Sequence, residues 1–91
     1  MDNPIQKVEK KITILSKTGL HARPAAVFVQ VANKFDSEIS VKKGTQKVNG
    51  KSIMGILMLA AGQGQQVTIL AVGIDAEQAI NELEQLLLKN D

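Results

Sequence analysis

The chain has 91 residues, the size of one domain built as two layers around a single core. Hydrophobic residues make up 44% and cysteine is absent, which excludes a disordered chain, a disulfide framework and any thiolate site. Net charge is only +2, but residues 1–51 carry ten basic and four acidic groups, whereas residues 52–91 carry one and five. Such a basic front either steers anionic partners or is an ordinary solvated lysine surface, and the count alone does not choose.

The start of the chain, MDNPIQKVEKK, is polar and lacks the apolar segment of a signal peptide. No apolar run approaches the roughly 18 residues of a membrane span. A cytoplasmic protein without membrane insertion is expected, with residues 1–7 as a flexible tail and 8–91 as a single domain. VEKKITIL, from Val8 to Leu15, places Ile12 and Ile14 on one side and predicts a strand. SKTG breaks that pattern. From Ala22 to about Lys34 the apolar spacing becomes Ala25, Phe28, Val29, Ala32, which predicts an amphipathic helix. SEISVKK predicts a second strand through Ile39 and Val41, and Gly44-Thr45 a turn into a short third strand over 46–49. Asn49-Gly50 is a further turn signal, and Ser52 is a natural N-cap for the helix IMGILMLAA. Residues 66–72 alternate Val67, Ile69, Ala71 as a fourth strand. Asp75 and Gln78 read as the capping-box-like start of a last helix carrying Ala76, Ala79, Ile80, Leu83, Leu86 and Leu87 on one side. The order βαββαβα predicts an α+β open-faced sandwich: a four-stranded antiparallel sheet with three helices on one side.

The stretch TGLHARPAA, residues 18–26, holds the only histidine and the only arginine. His21 falls at the N-cap of the first helix, with Ala22, Arg23 and Pro24 in its first turn. Proline fits there because first-turn N–H groups have no intrahelical acceptor, yet it disfavours helical geometry at Arg23, so an irregular start is expected. Free amides and a partial positive charge make such an end a seat for phosphate. The lone pair of a neutral imidazole is a nucleophile. A phosphoryl group on His21 would meet the amides around Ala22, the forked donors of Arg23, the Thr18 hydroxyl and a backbone kept accessible by Gly19. On residue types alone, a phosphohistidine and a weak cap beside a surface arginine both remain open. Histidine, cysteine and carboxylates show no metal-ligand spacing, so no metal or other cofactor is expected.

KSIMGILML, residues 51–59, is apolar nearly all round. In so small a domain one helix is hardly buried on every side, so part of it is expected to stay exposed as a docking patch, for which methionine is well suited. Nucleic acid is not an expected partner: there is no Tyr or Trp for stacking, and the basic excess is modest.

Together GLHARPAA, KFDSEISVKK, VNGKSIMGI and VGIDAEQAINEL resemble the HPr family, the histidine-containing phosphocarriers of the bacterial sugar phosphotransferase system. The resemblance runs from about Lys10 to Leu87. It implies that His21 is phosphorylated at Nδ1, with Arg23 supporting the phosphohistidine. It implies enzyme I as donor and enzyme IIA domains of sugar permeases as acceptors. It makes Ser52 a regulatory phosphorylation site for an HPr kinase/phosphorylase, adds a transcriptional regulator to the partners, and assigns partner contacts to Leu20, Val27, Ile53, Met54 and Leu57. A monomer is expected. The run LMLAAG, residues 57–62, departs from the MSLGA-like run of sugar-system members and leans toward nitrogen-related paralogues. A relative without the active histidine would be purely regulatory, and here His21 is present.

Overall fold

Side-chain alternation along four strands decides how the layers stack. The computed structural model describes residues 5–89, with β1 (Gln6–Thr13), α1 (Ala22–Ala32), β2 (Glu38–Lys43), β3 (Gln46–Asn49), α2 (Ile53–Leu59), β4 (Gln66–Gly73) and α3 (Ala76–Leu88). The strands form one antiparallel sheet in the order β1-β4-β2-β3. Ile12, Ile39, Val41, Val67, Ile69 and Ala71 are buried on one face, while Glu38, Lys42 and Lys11 on the other stay exposed. The register carries Lys11, Thr68, Lys42 and Lys47 across all four strands, so three of the basic residues of the first half decorate the uncovered face. The three helices cover the apolar face, as the sequence pattern implies.

Helix α1 buries Ala25, Phe28 and Ala32, and α3 buries Ala76, Ala79, Ile80, Leu83 and Leu87. Phe28 is fully enclosed; burying a side chain of this kind is worth roughly 1.5–3 kcal/mol. These stripes, rather than intrinsic propensity, hold the helices, since α1 is rich in β-branched residues. Salt bridges Lys10–Glu84 and Lys34–Glu82 tie α3 to its neighbours, but exposed pairs add little. No helix among the described residues is long and apolar enough to cross a membrane.

Two expectations are corrected. Strand β1 begins at Gln6 and ends at Thr13, two residues earlier at each end than read from VEKKITIL. Gln6 and Lys7, assigned to the tail, pair with Gly73 and Val72, and the Gln6 Oε1 accepts a hydrogen bond from the Glu77 N–H at 3.1 Å. The rest of the expected tail up to residue 4 lies outside the described residues. The second correction is the capping box. Asp75 is the N-cap of α3, but its carboxylate makes no cap bond; Gln6 serves the first turn instead.

The Asp75 carboxylate turns to the loop between α1 and β2. It accepts from the Asp36 N–H at 2.9 Å, the Ser37 N–H at 3.0 Å and the Ser37 hydroxyl at 2.5 Å. Gly73 makes room for this clamp, since a Cβ there would collide with Ser37. The Ser37 hydroxyl bond, with the two backbone donors, holds the Asp75 carboxyl below the usual carboxylate range. A depressed folded-state value stabilises the fold above the unfolded carboxylate range, and that stabilisation is lost as pH falls through the folded value. Asp75→Asn is expected to lower the urea midpoint at neutral pH, and the gap to the parent protein should shrink below about pH 4. Urea unfolding across that range measures it; a gap that persists unchanged in acid contradicts this account.

Candidate functional site

The loop between β1 and α1 is fixed by the ends of two other helices. The Leu15 and Ser16 N–H groups both donate to the Leu87 carbonyl, at 2.9 and 3.3 Å, which also satisfies an orphan acceptor at the end of α3. The Gly64 N–H donates to the Ile14 carbonyl at 2.8 Å, and the Leu20 N–H to the Ala61 carbonyl at 2.8 Å. Gly19 turns between these anchors with φ +61°, where a Cβ would stand 2.6 Å from the Ala61 oxygen. Only glycine satisfies both the left-handed backbone and the close approach. Leu20, expected among the partner contacts, is instead 2% exposed. Its side chain joins the core and plugs the loop into the fold, so it is not available to a partner.

His21 follows directly as the N-cap of α1. Its backbone is extended, its carbonyl accepts from the Ala25 N–H, and its exposed side chain makes no capping hydrogen bond. The first-turn amides of Ala22 and Arg23 have no intrahelical acceptor, and Pro24 has no N–H to offer. The irregular start appears at Ala22, whose φ of 40° is in a region that non-glycine residues rarely adopt. Arg23 is exposed, and neither ion pair among the described residues involves it.

These groups line a groove of about 590 Å³ whose far wall is formed by Leu86, Leu87 and Lys89 at the end of α3. Thr18 lies on its rim, and its hydroxyl is 3.4 Å from that of Ser16. Among the described residues two cations, Arg23 and Lys89, line the groove and no carboxylate does, so it is suited to an anion. The sequence reading placed Leu86 only on the apolar side of the last helix and gave neither it nor Lys89 to this site. They lie far from TGLHARPAA in the chain, and only the packing of α3 beside α1 brings them there.

The second constellation behaves as a cap and a patch. The Ser52 Oγ accepts from the Gly55 N–H at 3.1 Å, capping α2. Lys51 beside it donates from Nζ to the Phe35 carbonyl at 2.6 Å and fixes the entry to the helix. Ile56 and Leu59 are buried, whereas Ile53, Met54, Leu57 and Met58 are exposed, and Val27 of α1 is on the margin of exposure. Met58 was not among the expected contacts. Helix α2 stops at Leu59, earlier than IMGILMLAA suggests, because Ala60 takes a left-handed C-cap conformation. That turn aims the Ala61 carbonyl at Leu20.

A family model described as "PTS HPr component phosphorylation site" matches residues 8–89. The chain belongs to the HPr family. The family includes the phosphocarrier protein HPr, which is not an enzyme, and the HPr-like protein Crh. HPr-like protein Crh of Halalkalibacterium halodurans is 51% identical over 76 residues, covering 84% of this chain and 90% of that one. The crystal structure of the phosphocarrier protein HPr from Bacillus anthracis superposes with a TM-score of 0.87 at 47% identity, covering 89% of this chain and 96% of the other. The solution structure of Crh, described as the Bacillus subtilis catabolite repression HPr, has a TM-score of 0.70 at 45% identity and covers 90% and 98%.

In this HPr-family chain, Gly19→Ala is expected to cost roughly 1–3 kcal/mol of stability and to shift the His21 ring resonances. Urea unfolding and NMR of the single histidine read both effects; an unshifted ring would show that Gly19 does not position it.

Proposed function

We propose that this chain is a cytoplasmic monomer that accepts a phosphoryl group from phospho-enzyme I on Nδ1 of His21 and passes it to enzyme IIA domains of sugar permeases. The observation that carries this reading is the exposed, uncapped His21 side chain at the head of a helix with two unpaired amides. The ring lone pair attacks phosphorus as the bond to the donor breaks, and the acceptor's nucleophile later reverses the arrangement. Ala22 and Arg23 amides, the Arg23 guanidinium and the Thr18 hydroxyl hold the oxygens, while Gly19 keeps the loop clear. Phosphoryl transfer is governed mainly by such positioning and charge stabilisation. The grip must stay moderate, because an over-stabilised phosphohistidine slows the second transfer.

Ile53, Met54, Leu57 and Val27 form the docking face for donor and acceptors in turn. Phosphorylation of Ser52 by an HPr kinase/phosphorylase places roughly two negative charges at the edge of that face. The capping geometry tolerates them at the helix start while the docking partner meets them.

A second reading makes the chain a regulatory interaction module, or a nitrogen-related paralogue, acting on a transcriptional regulator through Ser52 and the α2 patch. Its support is the 51% identity to an HPr-like Crh, the Ser52 cap and the LMLAA run. Incubation with enzyme I and phosphoenolpyruvate separates the two. An acid-labile, alkali-stable label on His21 is the carrier outcome; no label with a competent enzyme I leaves the regulatory module. His21→Ala is expected to abolish the label with an unchanged circular dichroism spectrum, and a collapsed fold would make the residue structural. Ser52→Asp is expected to raise the KM of enzyme I for the carrier several-fold, by roughly the weight of one misplaced charge. An unaltered KM would place the donor elsewhere.

A further inference from the structure

The sulfur chemistry of this chain is concentrated on one face. There is no cysteine, and of three methionines two, Met54 and Met58, stand one helical turn apart on α2. Each is 64% exposed, more than any other large apolar side chain among the described residues. Their spacing of four puts both thioethers on the same stripe, beside Ile53 and Leu57. Ile56 and Leu59 are locked in the core, so α2 cannot roll to hide them.

We infer that Met54 and Met58 form an oxidation-sensitive switch on the docking face, at which a hydroperoxide weakens partner binding without touching His21. This rests on the carrier reading above. A thioether lone pair attacks the terminal peroxide oxygen, the O–O bond breaks, and water is released when the oxidant is hydrogen peroxide. Sulfur loses two electrons to the peroxide and keeps one oxygen as the sulfoxide. In a docked complex the thioether is a soft apolar contact that adapts to several partners. The sulfoxide oxygen is a strong acceptor that needs a donor, and an apolar partner surface offers none, so docking becomes costly. The groove residues around His21 contain no methionine, so the phosphoryl-transfer groups are unchanged. The lesion is reversible by methionine sulfoxide reductases. It therefore acts on the same face as Ser52 by a different chemistry.

The test is to treat the intact protein with hydrogen peroxide, locate the added oxygens by peptide mass spectrometry, and measure transfer from enzyme I and phosphoenolpyruvate. Expected are sulfoxides at Met54 and Met58, a KM for the carrier raised roughly tenfold, kcat changed by less than about twofold, and recovery after reductase treatment. The double variant Met54→Leu, Met58→Leu should keep its KM through the same treatment. Sulfoxides at both positions with an unmoved KM overturn the inference, as does an equal rise in the double variant or resistance of both methionines to peroxide. Failure of untreated protein to take any label would sink the carrier reading and this one with it; normal labelling with a peroxide-indifferent KM would sink this one alone.

Discussion

The hydrogen bond from the Leu20 N–H to the Ala61 carbonyl joins two loops far apart in the chain, and His21 is the next residue along. Gly19 presses its bare Cα against the same backbone, so the approach to the histidine is fixed by contact and not by a flexible hinge. Under the proposed carrier role, an imidazole that meets a donor and then an acceptor gains from such pre-set geometry, since orientation supplies much of a transfer step. The buried Leu20 side chain closes the arrangement from below.

The same logic extends to the other anchors. Leu87, the penultimate residue of α3, offers its carbonyl to Leu15 and Ser16, so the last helix of the chain props the loop that precedes the first. The left-handed turn at Ala60 ends α2 early and delivers Ala61 to Leu20. Thus the helix that carries the apolar patch also supports the histidine loop. The exposed α2 patch and the His21 groove share one framework, with Ser52 at the opposite end of the short helix.

All seven elements were legible because their apolar periods switch cleanly between two and about 3.6, with Ser52 and Gly50 marking boundaries. The candidate histidine site could be proposed from the sequence because its residue types lie within nine consecutive positions. What failed were features that depend on distant neighbours. Asp75 looks like a cap until the Ser37 loop competes for its carboxylate with three donors. The resemblance makes Leu20 a contact residue, but the packing of the loop against the core buries its side chain. Gln6 looks like tail until α3 presents an amide to it. Leu86 and Lys89 join the groove through helix packing that no local pattern encodes.

Strand β4 lies between β1 and β2, so the first strand has no partner in the sheet until the fourth exists. During translation, which adds roughly 5–20 residues per second, the N-terminal strand must therefore leave the ribosome unpaired and wait. The prop for the histidine loop arrives later still, since Leu87 belongs to α3, which follows β4 in the chain. A nascent chain therefore displays His21 before α3 exists to hold its loop in place.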